Sequence, residues 1–217
     1  MVSQNNNIFL HFGTAHEQIS DMISKFGLIS LIILDQVHGN DGHIITQGNS
    51  FLSFKSVQGD FLVTQEKNIG VGVLTADCLP IIFVDRVTSS VGIAHAGWRG
   101  SVKNIASLTL ERMHQQYGTK IADVSVFFGP CAKVCCYEVQ PQFRNNFTDD
   151  NAFFIQRGDQ LFFDLLSFNK QLLVSAGLPK TAINEQYNCC TICNDDYFSF
   201  RRQGEATGRN VSVVWIR

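Results

Sequence analysis

Gly70-Val71-Gly72-Val73-Leu74-Thr75-Ala76-Asp77-Cys78, then Leu79-Pro80-Ile81-Ile82-Phe83-Val84, then Val91-Gly92-Ile93-Ala94-His95, place three apolar runs close together in the chain. None alternates between apolar and polar. A short unbroken apolar run bounded by turn residues reads as a strand covered on both faces. Gly70 to Leu74, Pro80 to Val84 and Val91 to Ala94 are therefore expected as buried strands with no helix between them. Two of the three end in a side chain able to bind a metal, Cys78 and His95.

Upstream, Leu28 to Val37 is a long run rich in Ile and Leu that reads as one buried strand and delivers His38-Gly39 at its end. Asp60 to Thr64 is a further apolar run, and Ile8 to His11 a first strand. Ile19, Met22, Ile23 and Phe26 recur at helical spacing within Glu17 to Phe26, and Gly27 stops the helix. Downstream, Gly97, Arg99 and Gly100 lead into a helix from about Val102 to Tyr117. Val124 to Phe128 is a strand ending in Gly129-Pro130-Cys131. Pro141 to Phe147 and Leu165 to Ala176 read as helices, and Val211 to Ile216 as a final strand. Helices alternate with strands only in part. That predicts an α/β fold of the α+β kind: a single domain over residues 1–217, with a mixed β-sheet core and outer helices.

Composition narrows the function. Of 217 residues, 45% are hydrophobic and only 17% charged, with a formal net charge of −2. A nucleic-acid partner would leave a basic footprint, and none is visible. No apolar run is long enough to span a membrane. The start, Met1-Val2-Ser3-Gln4-Asn5-Asn6-Asn7, is polar and lacks the basic opening of a secretory signal, so a cytoplasmic location is expected. The seven cysteines are then expected as reduced thiols or metal ligands, not disulfides. Cys190 and Cys193 form a Cys-x-x-Cys spacing next to Cys189. Cys131, Cys135 and Cys136 offer an irregular counterpart. These read as core thiols, with a second metal the lesser alternative. Eighteen phenylalanines read mostly as core, with one or two available to stack on a ligand.

His38, Cys78 and His95 share a position just past the end of an apolar strand. Strand ends converge where loops gather at one rim of a sheet. Two imidazoles and a thiolate form a donor set suited to zinc, and three protein ligands leave the open fourth position of a catalytic site. The ligands are 40 and 17 residues apart, so spacing alone leaves a buried thiol and two polar-capped histidines as the competing reading.

Gln36-Val37-His38-Gly39, Thr75-Ala76-Asp77-Cys78-Leu79-Pro80-Ile81 and Ala94-His95-Ala96-Gly97-Trp98-Arg99-Gly100 resemble the three signature blocks of the YfiH-like family, once called multicopper polyphenol oxidase or laccase-domain. Gly129-Pro130 with Tyr137-Glu138-Val139, Phe163-Asp164-Leu165 with Asn169, and the block from Cys190-Thr191 through Phe198-Ser199-Phe200-Arg201-Arg202 to Gly208-Arg209-Asn210 also match, in order. The resemblance implies zinc on His38, Cys78 and His95. It implies an enzyme acting on purine nucleosides, by phosphorolysis of adenosine, inosine, guanosine or methylthioadenosine, or by deamination of adenosine. The partners implied are a purine nucleoside and phosphate, for a monomer or homodimer.

Zinc lowers the pKa of a bound water toward neutrality, which suits deamination at C6 of adenine. Asp77 is then a candidate general acid–base, or orients a group at the metal, or caps its own loop. Phosphorolysis needs an anion held against C1′ of the ribose as positive charge develops there. Arg99, just ahead of a helix start, is a candidate catalytic and phosphate-binding residue. Arg202 is a further substrate-binding candidate; with Arg201 and Arg209 it also suits fixing the last strand.

The N-terminal part departs from the family. Its members show a Phe-Ser-Thr-Arg-x-Gly-Gly-Val-Ser-like stretch, which aligns best with Phe12-Gly13-Thr14-Ala15-His16-Glu17-Gln18-Ile19-Ser20. Ala15 stands where the arginine would be, so a guanidinium suited to phosphate is missing. Deamination depends on it less. Three other functions compete. A copper oxidoreductase ranks low, since multicopper sites need more clustered histidines than these six provide. A cysteine hydrolase would use Cys78 as nucleophile and His95 as base. A non-catalytic zinc-binding partner protein would keep the metal without turnover.

Overall fold

The computed structural model describes residues 7–48, 56–148 and 151–217; most of the polar lead at 1–7 lies outside them. The chain begins with β1 (Ile8–Phe12), α1 (Ile19–Phe26), β2 (Ser30–Ile33), β3 (Gly42–Ile45) and β4 (Phe61–Thr64). The three apolar runs become β5 (Ile69–Thr75), β6 (Leu79–Asp85) and β7 (Ser90–Ala96). Next come α2 (Trp98–Val102), α3 (Ile105–Tyr117), β8 (Val124–Phe128), β9 (Glu138–Val139), β10 (Phe154–Arg157) and β11 (Gln160–Phe163). The chain closes with α4 (Leu165–Ser175), β12 (Ile183–Asn184), α5 (Phe200–Gln203) and β13 (Asn210–Ile216).

Two mixed sheets stack face to face. One has the order β1-β13-β5-β2, the other β12-β8-β6-β7-β4-β3, and β10-β11-β9 form a small third sheet. Within the large sheet β6 and β7 make an antiparallel hairpin in which Leu79 faces Ala96 and Pro80 faces His95. The unbroken apolar character of β6 follows from the layering. Ile82 and Val84 enter the core between the sheets with Val71, Ile93 and Val214. Leu79, Ile81 and Phe83 point the other way, onto Ile105, Leu110 and Met113 of α3 and Leu173 of α4. A strand covered on both faces has no polar side to alternate with. Outside the smaller sheet, Met22 of α1 packs on Val211, Val213 and Trp215 of β13. Helix, sheet, sheet and helices thus form four layers, in agreement with the expected mixed α/β architecture.

Some expectations need correction. Leu28 to Val37 is not one strand: pairing covers only Ser30–Ile33, and Asp35 then bridges Gln58 while Gln36 turns its amide onto Leu74. The helix of 102–117 is split by Asn104, whose left-handed φ of 60° ends α2 before α3 begins. Pro141–Asn146 is helical as expected, in the tighter 3₁₀ form. There Phe143 and Phe147 meet Phe154, Phe163 and Phe168 ring to ring, and this aromatic cluster accounts for much of the phenylalanine excess. Among the described residues no helix is long and apolar enough to cross a membrane.

Candidate metal centre and its cavity

Asp60 organises the site. It sits at the head of β4, buried to 1% exposure. Its carboxylate accepts the backbone N–H groups of Val37, His38 and Gly39 at 3.3, 3.0 and 2.7 Å, and Nδ1 of His95 lies 2.7 Å from its Oδ1. One carboxylate therefore shapes the loop that carries His38 and fixes the ring of His95. With Nδ1 engaged, Nε2 is the ring's remaining donor, the arrangement common among histidines that bind metals. Sequence reasoning missed Asp60. Its signal was an acid leading directly into a fully buried apolar run.

His38, Cys78 and His95 converge, with their ligating atoms all within 4.8 Å of one another. The His38 and His95 rings meet edge to face at 4.8 Å. His95 comes from the end of β7, and Cys78 from the turn just before β6. The hairpin register brings the two together. Gly97 completes the cradle: a Cβ there would lie 2.8 Å from Cys78 Sγ and 3.3 Å from the His38 ring. His38 and Asp77 have φ of 59° and 87°, a left-handed conformation that His and Asp tolerate better than most residues. Two such residues flanking one thiol mark a place where backbone strain serves geometry.

The electrostatics suit a cation. Burial pushes the Cys78 thiol up, but the charge of His95 and hydrogen bonds from His38 and His95 outweigh it and bring it down to about 6. Burial opposes charge on His95, yet the Cys78 thiolate and the Asp60 carboxylate raise it to about 9. The two shifts run together, favouring the thiolate of Cys78 and the imidazolium of His95 at once. A metal cation would displace the imidazolium proton and keep the thiolate. Soft sulfur, two imidazole nitrogens and a carboxylate-oriented ring fit zinc well.

Above the three ligands lies a cavity of about 550 Å³ whose lining includes Gln36, Asp77, Trp98, Arg99, Tyr137 and Phe200, as well as Arg201 and Arg209. It falls within the usual size of small-molecule sites, ~300–1,000 Å³. Arg99 lies over the Trp98 ring at 4.7 Å and Arg201 over Tyr137 at 4.9 Å. Phe200 presents a ring that is 48% exposed.

The remaining candidates divide. Asp77 is buried, and both carboxylate oxygens are engaged: Thr191 Oγ1 donates at 2.7 Å and Arg201 N–H at 2.7 Å. Arg202 does not line the cavity. Its guanidinium donates to the carbonyls of Thr191, Ile192, Asn194 and Tyr197 and ties that loop together. Arg201 and Arg209 take the places at the rim. Ala15 does not line the cavity either; its N–H donates to the Asp196 carbonyl.

Residues 11–217 match the family described as multi-copper polyphenol oxidoreductase laccase. The chain belongs to that family. A purine nucleoside phosphorylase of Borreliella burgdorferi is 34% identical over 175 residues, covering 77% of this chain and 72% of its own. Adenosine deaminase RL5, from an unknown prokaryotic organism, is 33% identical over 162 residues, covering 72% and 62%. The crystal structure of YlmD from Geobacillus stearothermophilus superposes with a TM-score of 0.86 at 25% identity, over 99% of this chain and 94% of that one. The family's name speaks of copper. Among the described residues this cluster holds two imidazoles and one thiolate, with no further histidine grouped with them.

Proposed function

We propose that the chain is a zinc enzyme of purine nucleoside chemistry, acting by phosphorolysis, by deamination of adenosine, or by both. The observation that carries this is the convergence of His38, Cys78 and His95 at a cavity of about 550 Å³, with Asp60 fixing two of the three. Relatives named purine nucleoside phosphorylase and adenosine deaminase support it.

His38, Cys78 and His95 would hold the zinc, which supplies Lewis acidity and a water of lowered pKa. Asp60 holds His95 in one tautomer. Phe200 offers a face on which a purine stacks. Arg99, Arg201 and Arg209 supply positive charge for phosphate, compensating for the family arginine replaced by Ala15. Asp77, through Thr191 and the Arg201 backbone, positions the Cys78 turn against the arginine-bearing segment, and Arg202 secures the loop that follows Thr191. In phosphorolysis the arginines orient phosphate toward C1′, and the electron pair of the glycosidic bond leaves with the purine. In deamination the same cavity holds the purine while water replaces the amine at C6 and ammonia leaves.

Cys78, His95 and Asp60 also meet the pattern of nucleophile, base and orienting acid, which favours a cysteine hydrolase as the second reading. Zinc and covalent chemistry compete for one sulfur. Protein purified without chelator and incubated with adenosine, with and without phosphate, separates them. About one zinc in the triad with phosphate-dependent adenine identifies phosphorolysis; inosine identifies deamination. Retained zinc with no product on any nucleoside points to a binding protein. A triad free of metal, with Cys78 acylated by an activated ester, overturns the zinc proposal.

A further inference from the structure

Six cysteines lie outside this centre, and the fold brings four of them together. Cys135 and Cys136 sit in a tight turn in which Lys133 O accepts the N–H groups of Cys136 and Tyr137. Cys190 and Cys193 belong to the loop between β12 and α5. A bridge between Cys131 and Cys190 zips the two segments, with Cys131 N–H on Cys189 O and Thr191 N–H on Cys131 O. The sulfurs of Cys135, Cys136, Cys190 and Cys193 all lie within 4.8 Å of one another, and all are free thiols. Of these four only Cys190 is a core thiol as expected; Cys136 is half-buried, and Cys135 and Cys193 are exposed.

We propose that Cys135, Cys136, Cys190 and Cys193 bind a second, structural zinc ion in a closed four-thiolate site.

A tetrahedral ion with Zn–S bonds of ~2.3 Å spaces its sulfurs by roughly 3.8 Å, so the observed cluster closes around one ion with small side-chain shifts. The backbone supports a metal knuckle. The N–H groups of Ile192 and Cys193 donate to the sulfur of Cys190, two and three residues back, and the N–H of Lys133 donates to it from the other segment. Such donors spread the charge of a coordinated thiolate. Four protein ligands leave no position for substrate, so the role is structural. Binding releases the thiol protons and forms four Zn–S bonds; nothing is oxidised or reduced.

The site would brace the cavity. Its two segments carry Tyr137 and Arg201, and both grip Asp77, through Ala132 N–H on one side and Thr191 Oγ1 on the other. Sequence spacing shows half of it: Cys190 and Cys193 keep a two-residue gap, and the adjacent pair Cys135-Cys136 does not.

Zinc per chain should be counted in protein purified under a phosphine reductant, for the native chain, Cys78→Ala, Cys193→Ser and the double variant. The expected counts are about two, one, one and none. Cobalt(II) added to metal-free Cys78→Ala should give the bands of a tetrahedral thiolate site. If the triad proposal fails instead, the native chain keeps one zinc that Cys193→Ser removes and Cys78→Ala does not. A Cys78→Ala chain holding no zinc, giving no cobalt band and reacting with a disulfide reagent at all four thiols overturns the second site. So does iron in place of zinc, or a disulfide among the four in the mass spectrum. Should Cys193→Ser fail to fold, the Cys78→Ala count and its cobalt spectrum decide alone.

Discussion

Asp60 Oδ1 lies 2.7 Å from Nδ1 of His95, while the same carboxylate receives the backbone of His38. A single buried acid therefore couples two strands and a loop that the chain keeps far apart. Asp60→Asn keeps the shape but reverses one donor–acceptor relationship. Zinc affinity should fall by about 10–100-fold, as for other partners that orient ligating histidines. Competition with a chromogenic chelator measures it; unchanged affinity would mean that the His95 ring is held by packing alone.

Cys78 should be the most reactive of the seven thiols in metal-free protein, because its thiolate is favoured by His95 and His38. Iodoacetamide followed by peptide mass mapping should find Cys78 labelled first, and prior zinc should protect it. Labelling of Cys78 at equal rate with and without zinc would remove it from the ligand set.

Arg99 and Arg202 should separate binding from stability. Arg99→Ala removes a cation from the cavity, so KM for phosphate should rise about tenfold or more with little change in Tm. Arg202→Ala strips donors from four carbonyls and should cost about 2 kcal/mol of stability. Paired thermal melts and steady-state kinetics test both. A loss of phosphate affinity confined to Arg202→Ala would exchange the two roles.

Phe200 should act through its ring. Phe200→Leu keeps apolar bulk but loses stacking worth about 1–3 kcal/mol per base. A rise in nucleoside KM at unchanged Tm is expected. No change in KM would place the base elsewhere in the cavity.

Glu17 should make acid stability steep. Burial opposes its charge, but Lys25, the Thr14 N–H and His11 lower its pKa to about 2. A carboxyl depressed below its unfolded value of ~4.3 contributes stability that is complete above that pH and is lost as pH falls toward 2. Tm should drop between pH 5 and 2.5, and Glu17→Gln should flatten that drop. The network fastens β1 to α1 through His11, Thr14 and Lys25.

What the residues disclosed in advance followed burial. β5, β6, β7 and β13 were legible because both of their faces are covered. β3 and β9 to β12 were not: they are short or polar, and pairing with a neighbour defines them more than their own composition. The convergence of His38, Cys78 and His95 was legible because each stands beside a readable apolar run. Asp60 was hidden by beginning one, and the four-cysteine cluster by depending on two loops meeting. Arg202 looked like Arg201 in sequence. Only the direction of the side chain tells the anchor from the rim.

The hairpin of β6 and β7 carries a last consequence. Asp85, through Val87, Thr88 and Ser90, sets the turn that fixes which residue of one strand faces which of the other. Seven residues of strand, about 23 Å, separate that turn from Cys78, and the five from Ser90 to Ala94 separate it from His95. The turn works as a gauge block for a centre it never touches. A one-residue insertion there would send Cys78 past its partner and reverse the faces of a whole strand. Descendants of this chain are bound to keep the turn's length and the Asp85 bonds that set it.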